Sequence, residues 1–141
     1  MIDYKKQGKS NKRKGASFEL SVRKDLEEKG FIVSKWMNNV KFQVETNDKT
    51  FHFGKLVPSK RKFNPFKKVM TIGTGFPDFI AFRVQTGKVT NFIFVEAKSN
   101  GYLDKEEKAK VKWYINEYGL PFAVASKDKE NKGEINYKYL N

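Results

Sequence analysis

The chain contains no cysteine. Disulfides and thiolate metal sites are therefore excluded, and an intracellular setting is expected. Histidine is nearly absent too. His52 stands alone between Phe51 and Phe53; with no second imidazole to join it, a strand-face residue is expected rather than a metal ligand. No apolar run approaches the ~20 residues needed to span a bilayer, so no membrane partner is expected. Residues 1–14 are polar and basic without an apolar segment, and do not read as a secretory signal. Acids are scarce: Asp+Glu is 16 against Lys+Arg 29, a net charge of +13. Such a surplus repels itself in isolation and makes sense beside a polyanion. A lysine-rich thermophile surface is the alternative, but clustering of the charge favours nucleic acid.

What is present fits one packed domain of 141 residues with 13 Phe. Residues 1–14 carry Lys5, Lys6, Lys9, Lys12, Arg13 and Lys14 against Asp3 alone, which reads as a flexible basic arm. Residues 15–141 form the domain proper. Phe18, Val22 and Leu26 recur at helical spacing, predicting a helix over 17–29 that stops at Gly30. A short buried strand is expected at 31–33. Residues 41–46 and 50–53 alternate around a turn at 47–49, which suggests a hairpin. No acid occurs between Asp48 and Asp78, and Pro58 and Pro65 oppose long regular structure. Residues 36–70 are thus a basic insert.

Strands are then expected at 79–82 and 91–98, joined by a turn at 86–88. The second contains the apolar run Phe92-Ile93-Phe94-Val95, the pattern of a strand buried on both faces. A helix over 105–118 follows, with Asp104 as N-cap, Glu107 as capping-box partner and Gly119 at its end. Strands at 122–126 and 134–140 complete the chain, the last at an edge. This order implies an α/β layer fold with a mixed sheet.

The chemistry concentrates at the strand ends. Side chains alternate along a strand, so Glu96 and Lys98 share a face. A carboxylate and an ammonium after an apolar run are costly without partners. Asp78 opens the preceding strand, 18 residues upstream, a gap that fits a returning hairpin. Two carboxylates at one point repel unless a cation lies between them. Oxygen ligands of this kind suit Mg²⁺ or Mn²⁺, which can activate water and polarise a phosphate. Lys98 is then placed to stabilise the transition state or orient the water. The bland alternative is a salt-bridge cluster at a strand end.

Pro77-Asp78 followed by Glu96-Ala97-Lys98 resembles the PD-(D/E)xK signature of the restriction-endonuclease-like nucleases. Lys14-Gly15-Ala16-Ser17-Phe18-Glu19, with its helix and Gly30-Phe31, is similar to the opening of archaeal Holliday junction resolvases. Gly73-Thr74-Gly75-Phe76-Pro77-Asp78 and the run from Glu96 to Tyr118 also resemble VRR-type nucleases. The resemblance covers residues 14–34 and 71–126, and leaves 36–70 outside it. It implies a central sheet flanked by helices, metal-dependent hydrolysis of phosphodiester bonds, and a homodimer suited to a branched, two-fold-symmetric DNA, with roles in recombination and repair. It makes Asp78, Glu96 and Glu19 the metal ligands and adds Lys98 as the fourth catalytic residue. In such families a polar residue on the helix after Glu-x-Lys faces the site; this helix has no Gln, leaving Lys105 and Lys108.

The expected nucleic-acid contacts are Lys12, Arg13, Lys14, Lys55, Lys60, Arg61, Lys62, Lys67 and Lys68. Phe63 and Phe66 either stack on unpaired bases or pack the loop to the body. Trp36 and Trp113 are expected in the core or a dimer contact. Gly73-Thr74-Gly75 lacks the Lys-Ser/Thr of a phosphate loop and is expected to let the backbone approach DNA or metal. The leading expectation is a structure-selective DNA endonuclease. The alternatives are a non-catalytic nucleic-acid-binding module on the same fold and an RNA-processing nuclease.

Overall fold

The computed structural model describes the backbone of residues 4–44, 50–59, 61–64, 69–72 and 75–141, and the side chains of 14–43, 50–59 and 75–141. The order is α1 (Tyr4–Glu28), β1 (Ile32–Lys35), β2 (Asn38–Val44), β3 (Phe51–Pro58), β4 (Arg61–Asn64), β5 (Val69–Ile72), β6 (Phe79–Gln85), β7 (Lys88–Ala97), α2 (Lys105–Tyr118), β8 (Phe122–Lys127) and β9 (Ile135–Leu140). The fold is α/β, a single small domain. Five strands form one sheet in the order β1-β6-β7-β8-β9, antiparallel throughout except for β7 and β8, which run parallel. Parallel neighbours need a crossover, and α2 supplies it. No helix among the described residues is long and apolar enough to cross a membrane.

β7 is buried on both faces, and this divides the core. Ile93 and Val95 meet Phe18, Val22 and Leu26 of α1 on one side. Phe94 meets Val111 and Tyr114 of α2 on the other, with Phe76 and Phe122. The helix stripe at i, i+4, i+8 and the strand alternation are thus two halves of one contact. At the end of α1, Gly30 takes φ 89°, and the N–H of Phe31 turns back to the Leu26 carbonyl. A residue with a β-carbon is strained there, which is why glycine closes the helix.

Two expectations need correction. α1 starts at Tyr4 rather than near residue 17, so most of the expected basic arm is helical. Its Lys, Arg and Gln residues are good helix formers, and no proline interrupts them. The basic insert holds two hairpins rather than one, β2–β3 and β4–β5, and reaches Ile72. Pro58 stands as the last residue of β3, where a proline is tolerated, and Pro65 lies outside the described residues. Trp113 anchors β2–β3 to α2: its indole N–H donates to the Gly54 carbonyl at 3.1 Å.

Asp25 ties α1 to the edge strand. Its carboxylate accepts from the Tyr137 hydroxyl and from the Lys29 ammonium, both at 2.6 Å. Burial pushes Asp25 up, but the Lys29 and Tyr137 hydrogen bonds and the Lys29 charge outweigh it and hold the carboxyl below its usual range. The ionised form is therefore favoured by folding. Its contribution is complete above the unfolded value of ~3.9 and is lost as pH falls through the lower folded value. Asp25→Asn is expected to reduce stability by about 1 kcal/mol at neutral pH. In thermal melts that difference from wild type should vanish in strong acid; a difference independent of pH would contradict the assignment.

Candidate active site

β6 begins where β7 ends, and register brings the two ends together. Phe79 pairs with Val95, so Asp78 lies beside Glu96. The Asp78 backbone N–H donates to Glu96 Oε1 at 3.1 Å, and the Ala97 N–H donates to Asp78 Oδ2 at 2.8 Å. Each carboxylate is thus held by the other strand's backbone. Asp78 is 9% exposed and Glu96 5%. Burial, reinforced by the neighbouring Asp78, pushes the Glu96 carboxyl up to about 10; the Lys98 charge opposes this and Glu107 adds to it.

Glu19 comes from α1, one residue after buried Phe18 on a face turned partly to solvent. Burial raises its carboxyl and the Asp78 charge raises it further, while Lys35 opposes. Lys98 Nζ stands 3.8 Å from Glu96 and 2.6 Å from Glu107. Burial alone would lower the Lys98 ammonium, but Glu107, then Glu96, carry it above its usual value. Sequence spacing left Glu107 as a capping-box partner only. It fills that role, accepting from the Asp104 N–H at 3.1 Å while Asp104 accepts from the Glu107 N–H at 2.8 Å. The signal for its second role was its place in the first turn after a short link from Lys98. Among the described residues Lys105 and Lys108, the polar candidates on that helix, form no ion pair with the site.

The structure therefore brings Glu19, Asp78, Glu96 and Lys98 together and adds Glu107. Among the described residues no three acids enclose a metal position as they stand; Glu19 meets Asp78, and Asp78 meets Glu96, pairwise. The donors are all carboxylate oxygens, and two are buried with one ammonium nearby. Carboxylate oxygens are the donors a hard divalent cation takes, and a cation there would favour the ionised form of Glu96 against the burial and the Asp78 neighbour that raise it.

Other expected residues are spread more widely. Lys14 is exposed on α1 and Lys55 on β3. The side chains of Lys12, Arg13, Lys60, Arg61, Lys62, Lys67 and Lys68, and of Phe63 and Phe66, lie outside the described residues. His52 is exposed and its Nε2 lies 2.8 Å from Thr50 Oγ1. Gly73 and Thr74 also lie outside the described residues. At Gly75 a β-carbon would collide with the Trp36 carbonyl, so its bareness admits a neighbouring strand end.

The turn bearing Asp78 is fixed from below. The Tyr114 hydroxyl donates to the Phe76 carbonyl and accepts from the Trp36 indole N–H at 2.9 Å. Burial pushes this hydroxyl up to about 12 against the pull of Trp36, so it remains a donor at neutral pH. Trp36 and Trp113 both belong to this layer, 5.3 Å from Phe94 and Tyr114 respectively. No family model matches this chain, and neither does any curated protein or solved structure. Tyr114→Phe removes both bonds and leaves a buried carbonyl and N–H unpaired. Urea denaturation should show a loss of roughly 1–3 kcal/mol; a change below about 0.5 kcal/mol would contradict the role.

Proposed function

We propose that the chain is a divalent-metal-dependent DNA endonuclease, structure-selective in the manner of a Holliday junction resolvase. The meeting of buried Asp78 and Glu96 with Lys98, and of Glu19 with Asp78, supports this reading most directly. The mixed sheet with a helix packed on each face accords with the restriction-endonuclease-like layout that the motif implies. The net charge of +13 accords with a polyanionic partner.

In this reading Asp78, Glu96 and Glu19 hold Mg²⁺ or Mn²⁺. When bound, such an ion supplies a Lewis acid for the phosphate and a lowered pKa for water. Lys98 works electrostatically. Glu107 and Glu96 keep it protonated, so it stabilises negative charge developing on the phosphate rather than removing a proton. The backbone N–H groups of Asp78 and Ala97 hold the carboxylates in place. Lys14 and Lys55, with the basic residues of the amino-terminal stretch and the insert, draw in the DNA backbone. A homodimer would present two such sites to a two-fold-symmetric junction.

Asp78→Ala should reduce cleavage to background while DNA binding persists. The check is a panel of four-way junction, flap, nicked duplex, linear duplex, single strand and structured RNA, with Mg²⁺, Mn²⁺ or EDTA. Equal cleavage by the variant overturns the assignment. Binding without cleavage of any substrate by wild type points to the non-catalytic module, and a preference for RNA to RNA processing. Glu107→Gln separates the two roles of that residue, since Gln still serves a capping box. It should lower kcat by roughly tenfold with stability nearly unchanged; unchanged kcat would remove Glu107 from the site.

A further inference from the structure

α2 leaves part of its sheet face open. Phe94 and Phe122 lie against Tyr114. Two pairs further along, and so on the same face, Glu96 stands opposite Val124, and Val124 opposite Lys138. Neighbouring strands lie ~4.8 Å apart, and directly paired residues face the same side. Val124 is therefore one strand from the carboxylate site, and Lys138 two. Over this row, α2 and the segment at 101–103 enclose a cleft of about 370 Å³.

The lining of the cleft divides by chemistry. Leu103, Val111, Val124 and Leu140 make an apolar floor, while Lys108, Lys112 and Lys138 supply cations. All three lysines are exposed, and none has an ion-pair partner among the described residues. Among the described residues no acidic side chain lines the cleft. Tyr102 is 72% exposed beside it, with a ring free to lie against a planar group.

We infer that this cleft takes an unpaired nucleotide of the strand that reaches Asp78 and Glu96, its base on the apolar floor and its flanking phosphates on Lys108, Lys112 and Lys138. The inference rests on the nuclease reading and narrows its substrate to DNA with a single-stranded segment beside the cut. Cations attract the backbone. An apolar floor and an aromatic ring accept the face of any base, which gives binding tolerant of sequence. The acidic pair offers phosphate no attraction, so cations two strands away decide where the backbone runs.

The test is binding by the full chain in EDTA, where cleavage is suppressed. The probe is a short single-stranded oligonucleotide carrying 2-aminopurine, compared with the same strand bearing abasic positions and with a fully paired duplex. Wild type should quench the fluorophore and bind the strand about tenfold or more tightly than its abasic version, the size expected of one stacked base. Lys112→Glu/Lys138→Glu should weaken binding about tenfold and reduce the salt slope by roughly 0.7 per lost phosphate contact. Tyr102→Ala should reduce the preference for the base-bearing strand. Equal binding of the abasic strand, or unchanged binding by the double variant, overturns the inference. These readouts are separate from cleavage. A junction cut by wild type without base-dependent binding sinks the cleft and leaves the nuclease reading; base-dependent binding without cleavage does the reverse.

Discussion

Asp78 and Glu96 each accept a hydrogen bond from the other's strand, and the arrangement of the molecule follows from that exchange. Two carboxylates out of water beside one another are unstable by themselves. They are tolerated here because burial and Asp78 hold Glu96 toward its protonated form, backbone N–H groups hold the oxygens and Lys98 stands close. The bonds require β6 to start where β7 ends, which fixes the hairpin register. That register places Phe94 toward α2 and Ile93 and Val95 toward α1. The two core layers and the acidic site are thus consequences of one alignment, since a slip of one residue would reverse every side chain.

α2 supports this alignment at two points. Near its middle, Tyr114 holds the Phe76 carbonyl and so the turn before Asp78. In its first turn, Glu107 holds Lys98 while also closing the helix cap. The helix cannot shift along the sheet without loosening both, so its packing and the position of the ammonium are coupled. A rigid element carrying the groups that orient a site is more exact than a loop would be.

The parts of this structure legible in the sequence are those where burial imposes a period. Phe18, Val22 and Leu26 announced α1, the run before Glu96 announced β7, and Asp104, Glu107 and Gly119 marked the bounds of α2. Glu96 and Lys98 share a face by strand alternation alone, and the hairpin gap placed Asp78 near them. Three things were hidden. The start of α1 carries helix-forming residues but no apolar stripe, so it looked like an arm. β4 and β5, at four residues each, are too short to show alternation. Contacts between distant segments leave no local trace: Trp36 and Tyr114 are 78 residues apart.

The same distinction governs the electrostatics. A net charge of +13 says that the surface attracts anions, but not where they settle. The buried acids supply no attraction within that field and by themselves do not hold a phosphate. A polyanion held near them must be held by cations placed to the side and must be drawn inward by a further positive charge between the carboxylates. Lys98 cannot supply all of that charge, because Glu107 already engages it. The open row from Glu96 through Val124 to Lys138 meets the first requirement on the same sheet face, and the all-oxygen donor set meets the second. On the proposed reading, the rim attracts the backbone while the acidic pair does not, and a divalent cation would make approach to the pair favourable.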